Sequence, residues 1–289
     1  MVCAAGLHPA THRVHPDCMN GCHALNDCPA EPRVLAPDAR PERVDIHVQH
    51  QSYSPHRHDA YVFALTYSGV QCFDYCGETR VSRPGELVVL HPDETHDGRA
   101  GTDAGFHYRG ISIDPAALQR ALGGRALPFI EGGVTRDTRL IGVISPLLSD
   151  MNTPLGEAEF EAALADLASA MLSLGAETGS EPIADARAAS MARNLIVETP
   201  ERVIGLGELE AVTGRNRWQL SRDFRALFGT SPYRFGQLRR LDRSRALIRC
   251  AMPLAEVAYA TGFADQSHLT REFRKAYGIT PKAWQALVR

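Results

Sequence analysis

The sequence predicts a multidomain α and β protein: an N-terminal β-barrel with a helical hairpin, then an all-α tandem helix-turn-helix domain. Three observations carry this. Short period-two segments fill the first half, period-3.6 segments fill the second, and the last hundred residues repeat themselves. The 289 residues suit about two domains. With 44% hydrophobic and 22% charged residues the composition is that of an ordinary globular protein, which excludes a collagen, a coiled-coil rod or a wholly disordered chain. No apolar run reaches the ~18 residues of a membrane span. The first residues have no apolar core of a secretory signal, so a cytoplasmic protein without membrane partners is expected.

Residues 1–42 are rich in Pro, Ala, His and Cys without periodicity and read as a flexible tail. Cys18, Cys22, His23 and Cys28 offer soft metal ligands, but at no standard zinc spacing. Seven cysteines, an odd number, do not make a disulfide framework.

Residues 43–134 alternate. Val44, Ile46 and Val48, then Tyr61, Phe63 and Leu65, then VQCFDY, ETRVS, ELVVLH and FHYRGISI are separated by Ser68-Gly69, Gly77 and Pro84-Gly85. Many short strands with turn signals predict a sandwich or barrel. Asp114-Pro115 opens a helix that Gly123-Gly124 ends.

Residues 135–178 are helical. Leu140, Ile141, Ile144, Leu147 and Leu148 form one apolar face; Phe160, Leu164, Leu167, Met171 and Leu174 form another, with Asn152-Thr153-Pro154 between them. Such a hairpin suits covering a barrel or joining two subunits, and a homodimer is expected. GAETGSEP (175–182) reads as a linker.

From Ile183 to Arg289 there are 18 basic and 10 acidic residues, against 13 and 24 in the remainder. A basic end on an acidic front points to nucleic acid. Residues 206–235 and 254–284 are two copies of one pattern: Leu206 matches Leu254, Thr213-Gly214 matches Thr261-Gly262, and Leu220, Arg222, Phe224, Gly229 and Pro232 match Leu269, Arg271, Phe273, Gly278 and Pro281. Each copy is a short helix, a glycine turn needing positive φ, and a second helix stopped by glycine and proline. The outward faces of these second helices carry Arg217, Trp218, Ser221, Arg222 and Arg225, and Gln266, Ser267, His268, Thr270, Arg271 and Arg274. Arg, Gln and Ser/Thr read base edges and bind phosphates. Between the copies one long helix, about Tyr233 to Cys250, bears six arginines and spaces the two readers.

Residues 187–289 resemble the DNA-binding region of the AraC/XylS family of bacterial transcription regulators. ARNLIVETP, RWQLSRDF and GFADQSHLTREFRKAYGITPKAW carry the resemblance. It implies base-edge contacts from Trp218, Ser221 and Arg222 and from Ser267, His268 and Arg271, with promoter DNA and RNA polymerase as partners. Asn216-Arg217 stands where the family often has Ser-Pro. The front half, with His56 and His58 in an H-x-H pair and RPGELVVLHPDETH ending at His96, resembles the family's cupin-like effector-binding domain. The resemblance implies a small-molecule site at His56, His58, Tyr61 and His96. Metal-binding cupins use such histidines with a glutamate, and the strand after His58 has none, so His56, His58 and His96 are a divalent-metal candidate with an incomplete ligand set. Arg57, His91, Asp93, Glu94, Asp97 and Arg109 are candidates for the pocket mouth. The reading is a ligand-responsive, sequence-specific regulator with no catalytic residues. The alternative is a metal-dependent cupin enzyme with an appended DNA-binding module.

Overall fold

The computed structural model describes residues 33–35, 41–49, 52–175, 185–277 and 279–287. The Cys/His cluster of the tail, most of the 175–182 linker and Gly278 lie outside the described residues.

Among these, the period-two segments form two antiparallel sheets. The first runs β1 (Arg33–Leu35), β2 (Glu42–Val48), β9 (Phe106–Ile113), β4 (Tyr61–Gly69), β7 (Leu87–Leu90) and β10 (Val134–Thr135), in that order. The second runs β3 (Ser52–His56), β8 (His96–Ala100), β5 (Gln71–Tyr75) and β6 (Glu78–Ser82). β1 falls inside the stretch expected to be a tail; it pairs with β2, Val34 opposite Val44.

Successive side chains of a strand point to opposite faces. In β4, Tyr61, Phe63 and Leu65 join the core beneath the helices, while Val62 and Ala64 face the other sheet. In β7, Leu87 and Val89 go one way and Val88 and Leu90 the other. The first sheet is therefore buried on both faces. Its outer core is closed by α1 (Pro115–Leu122), α2 (Thr138–Leu147) and α3 (Glu157–Leu174), through Leu118, Leu140, Ile144, Leu164, Leu167 and Met171. Asp114 caps α1 by accepting from the Ala116 amide, and Gly123 ends it at φ 62°. Arg43 of β2 donates to the Leu147 and Asp150 carbonyls, and Arg109 of β9 to those of Leu148 and Ser149. These guanidinium groups occupy the carbonyls that α2 leaves unpaired at its end.

The second half is helical: α4 (Ala186–Glu198), α5 (Leu206–Thr213), α6 (Arg217–Phe228), α7 (Pro232–Arg249), α8 (Leu254–Ala260), α9 (Gln266–Tyr277) and α10 (Pro281–Leu287). The repeat becomes two modules, α5–α6 and α8–α9, with glycine turns at Gly214 (φ 67°) and Gly262 (φ 71°). Leu220, Phe224 and Phe228 fill the first core with Ala189 and Ile196 of α4, and Leu269, Phe273 and Tyr277 fill the second with Trp284 of α10. α7 belongs to both: Phe235 enters the first core, Leu241 and Ile248 the second. Asn216, in place of the family's usual serine, caps α6 by accepting from the Trp218 and Gln219 amides.

His91 stitches β7 to the loop after α1. Its Nε2 accepts from the Ile130 amide at 2.9 Å, Nδ1 bonds the Tyr75 hydroxyl, and its ring stacks on Phe129. It takes no part in a pocket mouth. Burial pushes its pKa from 6.5 down to about 4. The unfolded imidazole takes a proton that the folded one refuses, so stability present above pH 6.5 is lost as pH falls towards 4. Urea unfolding at pH 7.5 and pH 4.5 should show wild type losing about 2 kcal/mol more than His91→Asn across that interval. Equal losses would show that His91 does not set this pH dependence.

Candidate DNA interface and effector cavity

The two second helices of the repeat present their predicted faces to solvent. On α6, Arg217, Trp218, Arg222 and Arg225 are exposed and Ser221 is half-buried; Trp218 is 80% exposed. On α9, Gln266, Ser267, Arg271 and Arg274 are exposed, with His268 and Thr270 partly covered. Several are held locally. Arg217 pairs with Glu210 at 3.3 Å, Thr270 Oγ1 donates to the Gln266 carbonyl, and the Asp265 carboxylate accepts from the His268 amide. Arg222 has only a loose 3.9 Å approach to Asp223, whose carboxylate Arg215 holds at 2.9 Å. Arg225, in the last turn of α6, lines a cleft against the barrel with Arg57, Asp93 and Glu94. It stands at the flank of the reading face, beside acidic groups.

The long connector differs from its sequence reading. Arg240 is buried, donates to the Gly262 carbonyl at 3.0 Å and lies over the Phe263 ring. Arg245 is buried over Tyr277 and Trp284. Arg239 bonds Asp59 of the barrel. Arg234 pairs with Asp93 at 2.9 Å. Four of the six arginines thus serve packing and domain contact, and Arg243 and Arg249 remain exposed.

Between the sheets lies a cavity of about 50 Å³. Val62, Ala64, Phe73, Val88 and Leu90 form its apolar wall, and His56, His58, His96, Gln71 and Asp97 line it with polar groups. Three of the four expected effector-site residues are there. Tyr61 is not. The pleat turns it to the helix side, where its hydroxyl donates to the Pro128 carbonyl at 2.8 Å. Arg109 also lies outside, bonded to Asp45 at 3.0 Å. The pairing of β3 with β8 sets His56 opposite His96, and the His96 ring meets those of His56 and His58 edge-on at 4.4 and 4.8 Å. Each Nδ1 bonds a backbone carbonyl: His56 to Ser54 at 2.8 Å, His58 to Ala60 at 2.9 Å, His96 to Glu94 at 3.1 Å. Burial pushes His58 down to about 3, helped by the neighbouring His56, and lowers His56 and His96 too. Asp97, a pocket-mouth candidate, is among the lining residues; Tyr53, Gln71 and Tyr108 also line the cavity and have no sequence signal beyond their strands.

As a metal centre the trio does not fit as it stands. Among the described residues, the group that brings one ligand atom each within 4.8 Å is Asp45, His47 and His107, on the outside of the barrel. There the two imidazoles stack parallel, centroids 3.8 Å apart, and a lone pair lies in its ring plane, so the rings do not aim at one ion.

The two halves meet through charges. Asp59 holds Arg239, with Asp242 on the other side at 3.2 Å. Burial opposes the Arg239 charge, but the carboxylates of Asp59, Asp242 and Asp114 outweigh it and raise its pKa. Asp93 takes Arg234 and the Thr230 hydroxyl, and Asp114 takes Arg193 of α4 at 3.1 Å. The Leu127 amide donates to the Ala226 carbonyl of α6 at 2.7 Å. Both Asp59 and Asp93 are tied to a cavity residue: Asp59 follows His58 in the chain, and the Asp93 amide donates to the His58 carbonyl at 2.7 Å.

Residues 41–174 match the model of the AraC-like ligand binding domain, and residues 209–286 that of a helix-turn-helix domain. The HTH-type transcriptional regulator YbfI of Bacillus subtilis is 24% identical over 76% of this chain and 82% of its own. The arabinose operon regulatory protein of Salmonella typhimurium is 24% identical over 78% and 83%. Among solved structures, ToxT of Vibrio cholerae superposes with a TM-score of 0.58 at 13% identity, over 85% of this chain and 97% of that one. Another ToxT structure holds an unsaturated fatty acid. Among the described residues no helix is long and apolar enough to cross a membrane. With a ligand-binding barrel in front and a doubled DNA-reading module behind, the chain belongs to the AraC family of helix-turn-helix transcriptional regulators.

Proposed function

We propose that α6 and α9 read two adjacent major-groove segments of promoter DNA, and that a small effector in the barrel cavity sets how they are presented. The observation that carries this is the pair of repeat-related helices with Trp218, Arg222, Gln266 and Arg271 outward and solvated. An indole left 80% exposed has an apolar face with no protein partner. Two readers on one connector suit successive grooves, which lie ~34 Å apart along a duplex face. Exposed arginines supply phosphate affinity, and binding falls steeply with salt.

The effector acts by differential affinity, since a ligand shifts an equilibrium only by binding one state better. The shortest relay is His58 to Asp59 and Asp93, and from these to Arg239 and Arg234 of α7. Its direction, activation or repression, is open. The outer face of α3, with Ala162, Ala165, Ser169 and Leu172 exposed, supports a homodimer, since small residues let two helices approach closely. Cytoplasmic location and contact with RNA polymerase follow from this role. An enzyme reading is less favoured, because the three histidines come without the glutamate that completes the metal ligand set of a cupin.

Three outcomes are expected. On a duplex selected from random sequence, Arg222→Ala and Arg271→Ala should each cost about 1–3 kcal/mol, confined to one base step, with the melting temperature unchanged. Uniform loss across all base variants would reduce these residues to phosphate contacts. Arg245→Ala should do the reverse, lowering stability by about 1–2 kcal/mol through its two rings and leaving the salt slope of DNA binding intact. A double-mutant cycle on Asp59→Asn and Arg239→Gln should give a coupling of at least about 1 kcal/mol in urea unfolding; zero coupling would remove this pair as the fastening between domains.

A further inference from the structure

The three cavity histidines share one hydrogen-bonding state. A backbone carbonyl only accepts, so each Nδ1 facing one carries the proton. A neutral imidazole has a single N–H. With that proton spent on the backbone, each Nε2 is left as an acceptor, and burial keeps the rings neutral. His56 Nε2 is buried without a hydrogen-bond partner, in a residue only 5% exposed. Gln71 Oε1 is a second buried acceptor without a partner.

The charges point the same way. Among the described residues no Lys or Arg lines the cavity, and the formally charged residue there, Asp97, is already held by Arg99 at 3.3 Å and by the Asp74 amide. An anion entering would shed its water and find no cation among these lining residues. An O–H or N–H entering would satisfy one of His56 Nε2 and Gln71 Oε1, and an amine, with more than one N–H, could satisfy both. The remaining wall, Val62, Phe73, Val88 and Leu90, asks for an apolar body. About 50 Å³ holds about three to five waters at roughly 10–15 Å³ each, so the body is short.

We infer that the cavity takes a small molecule with a hydrogen-bond-donating, non-anionic head, an amine or an alcohol, placed on His56 Nε2 with its short apolar body against the valine and leucine wall, and that it rejects carboxylates. This rests on the cavity being the effector site, and it narrows the effector to a chemical class. The hydroxyls of Tyr53, Tyr108 and Ser112 can donate or accept, and they do not alter the absence of a cation.

The test uses full-length protein and three probes of one shape: isobutylamine, isobutanol and isobutyrate, read by thermal shift and calorimetry. A saturable upward shift is expected with the amine or the alcohol, and none with the carboxylate. The amine and alcohol arms tell the two sources of the donor apart. Gln71→Leu and His56→Phe should each weaken the responding probe at least tenfold. Gln71→Leu removes an acceptor that has no hydrogen-bond partner in the free protein, so its own melting temperature should match wild type, which keeps the test sound if His56→Phe fails to fold. A saturable shift with isobutyrate would overturn the inference, as would stoichiometric zinc binding lost in His56→Phe; either leaves the cavity as the effector site. No response to any probe or to zinc would overturn both.

Discussion

The contact on which the rest depends is the set of ion pairs between barrel aspartates and helix α7. Asp59 and Asp93 flank His58, one in the chain and one through a backbone hydrogen bond, and both grip the helix that carries the two DNA-reading modules. Pairs of this kind add little net stability, because desolvation offsets most of the Coulomb gain, yet breaking one side strands a buried charge. They therefore fix geometry more than they add free energy. A loosely docked helical domain would leave α6 at no defined angle to the barrel. Here α6 is held through Leu127–Ala226 and the Thr230–Asp93 bond just past its end, and its neighbour α4 through Arg193–Asp114.

The same contacts change the meaning of the charge split. An acidic front and a basic back suggest a nucleic-acid partner, and part of the imbalance instead meets itself across the domain boundary. Arg193, Arg234 and Arg239 answer Asp114, Asp93 and Asp59. Arg240 and Arg245 lie over aromatic rings of the second module. Arg217, Arg222, Arg225, Arg271 and Arg274 face water on the reading helices, Arg217 beside Glu210 and Arg225 beside the acidic groups of the barrel. Net charge alone counted all of these alike.

What could be read from the chain beforehand follows the range of the interactions. Local rules reach part of the fold: Asp114-Pro115 and Gly123 bound α1, the repeat with its two positive-φ glycines locates both modules, and alternation locates β2, β4, β5, β6, β7 and β9 but not β3, β8 or β10. Alternation separates two faces but does not say which one looks inward when both are buried, and that is why Tyr61 was expected beside the histidines and lies against the helices instead. The strand at Arg33–Leu35 was missed in a segment with no period, because pairing with β2 makes it. The barrel partners of Arg234 and Arg239, Asp93 and Asp59, are more than a hundred residues away, and nothing local to α7 marks them.

The double burial of the first sheet gives these parts a common mechanical basis. One face of β4 and β7 lines the cavity and the other packs on α1, α2 and α3. Close-packed interiors do not absorb volume quietly. A guest in a cavity of about 50 Å³ therefore moves either the histidine side or the sheet. The sheet is backed by three helices along its length. On the histidine side the backing comes from the helical domain instead: β3 lies against α9, and Asp59 ends on Arg239. Displacement on that side therefore passes to the helical domain, α7 included. Linkage then makes the traffic two-way: DNA that favours one setting of α7 must alter effector affinity by the same factor. A regulator built this way needs no long pathway, only one histidine whose two neighbouring aspartates are shared with the DNA-reading domain.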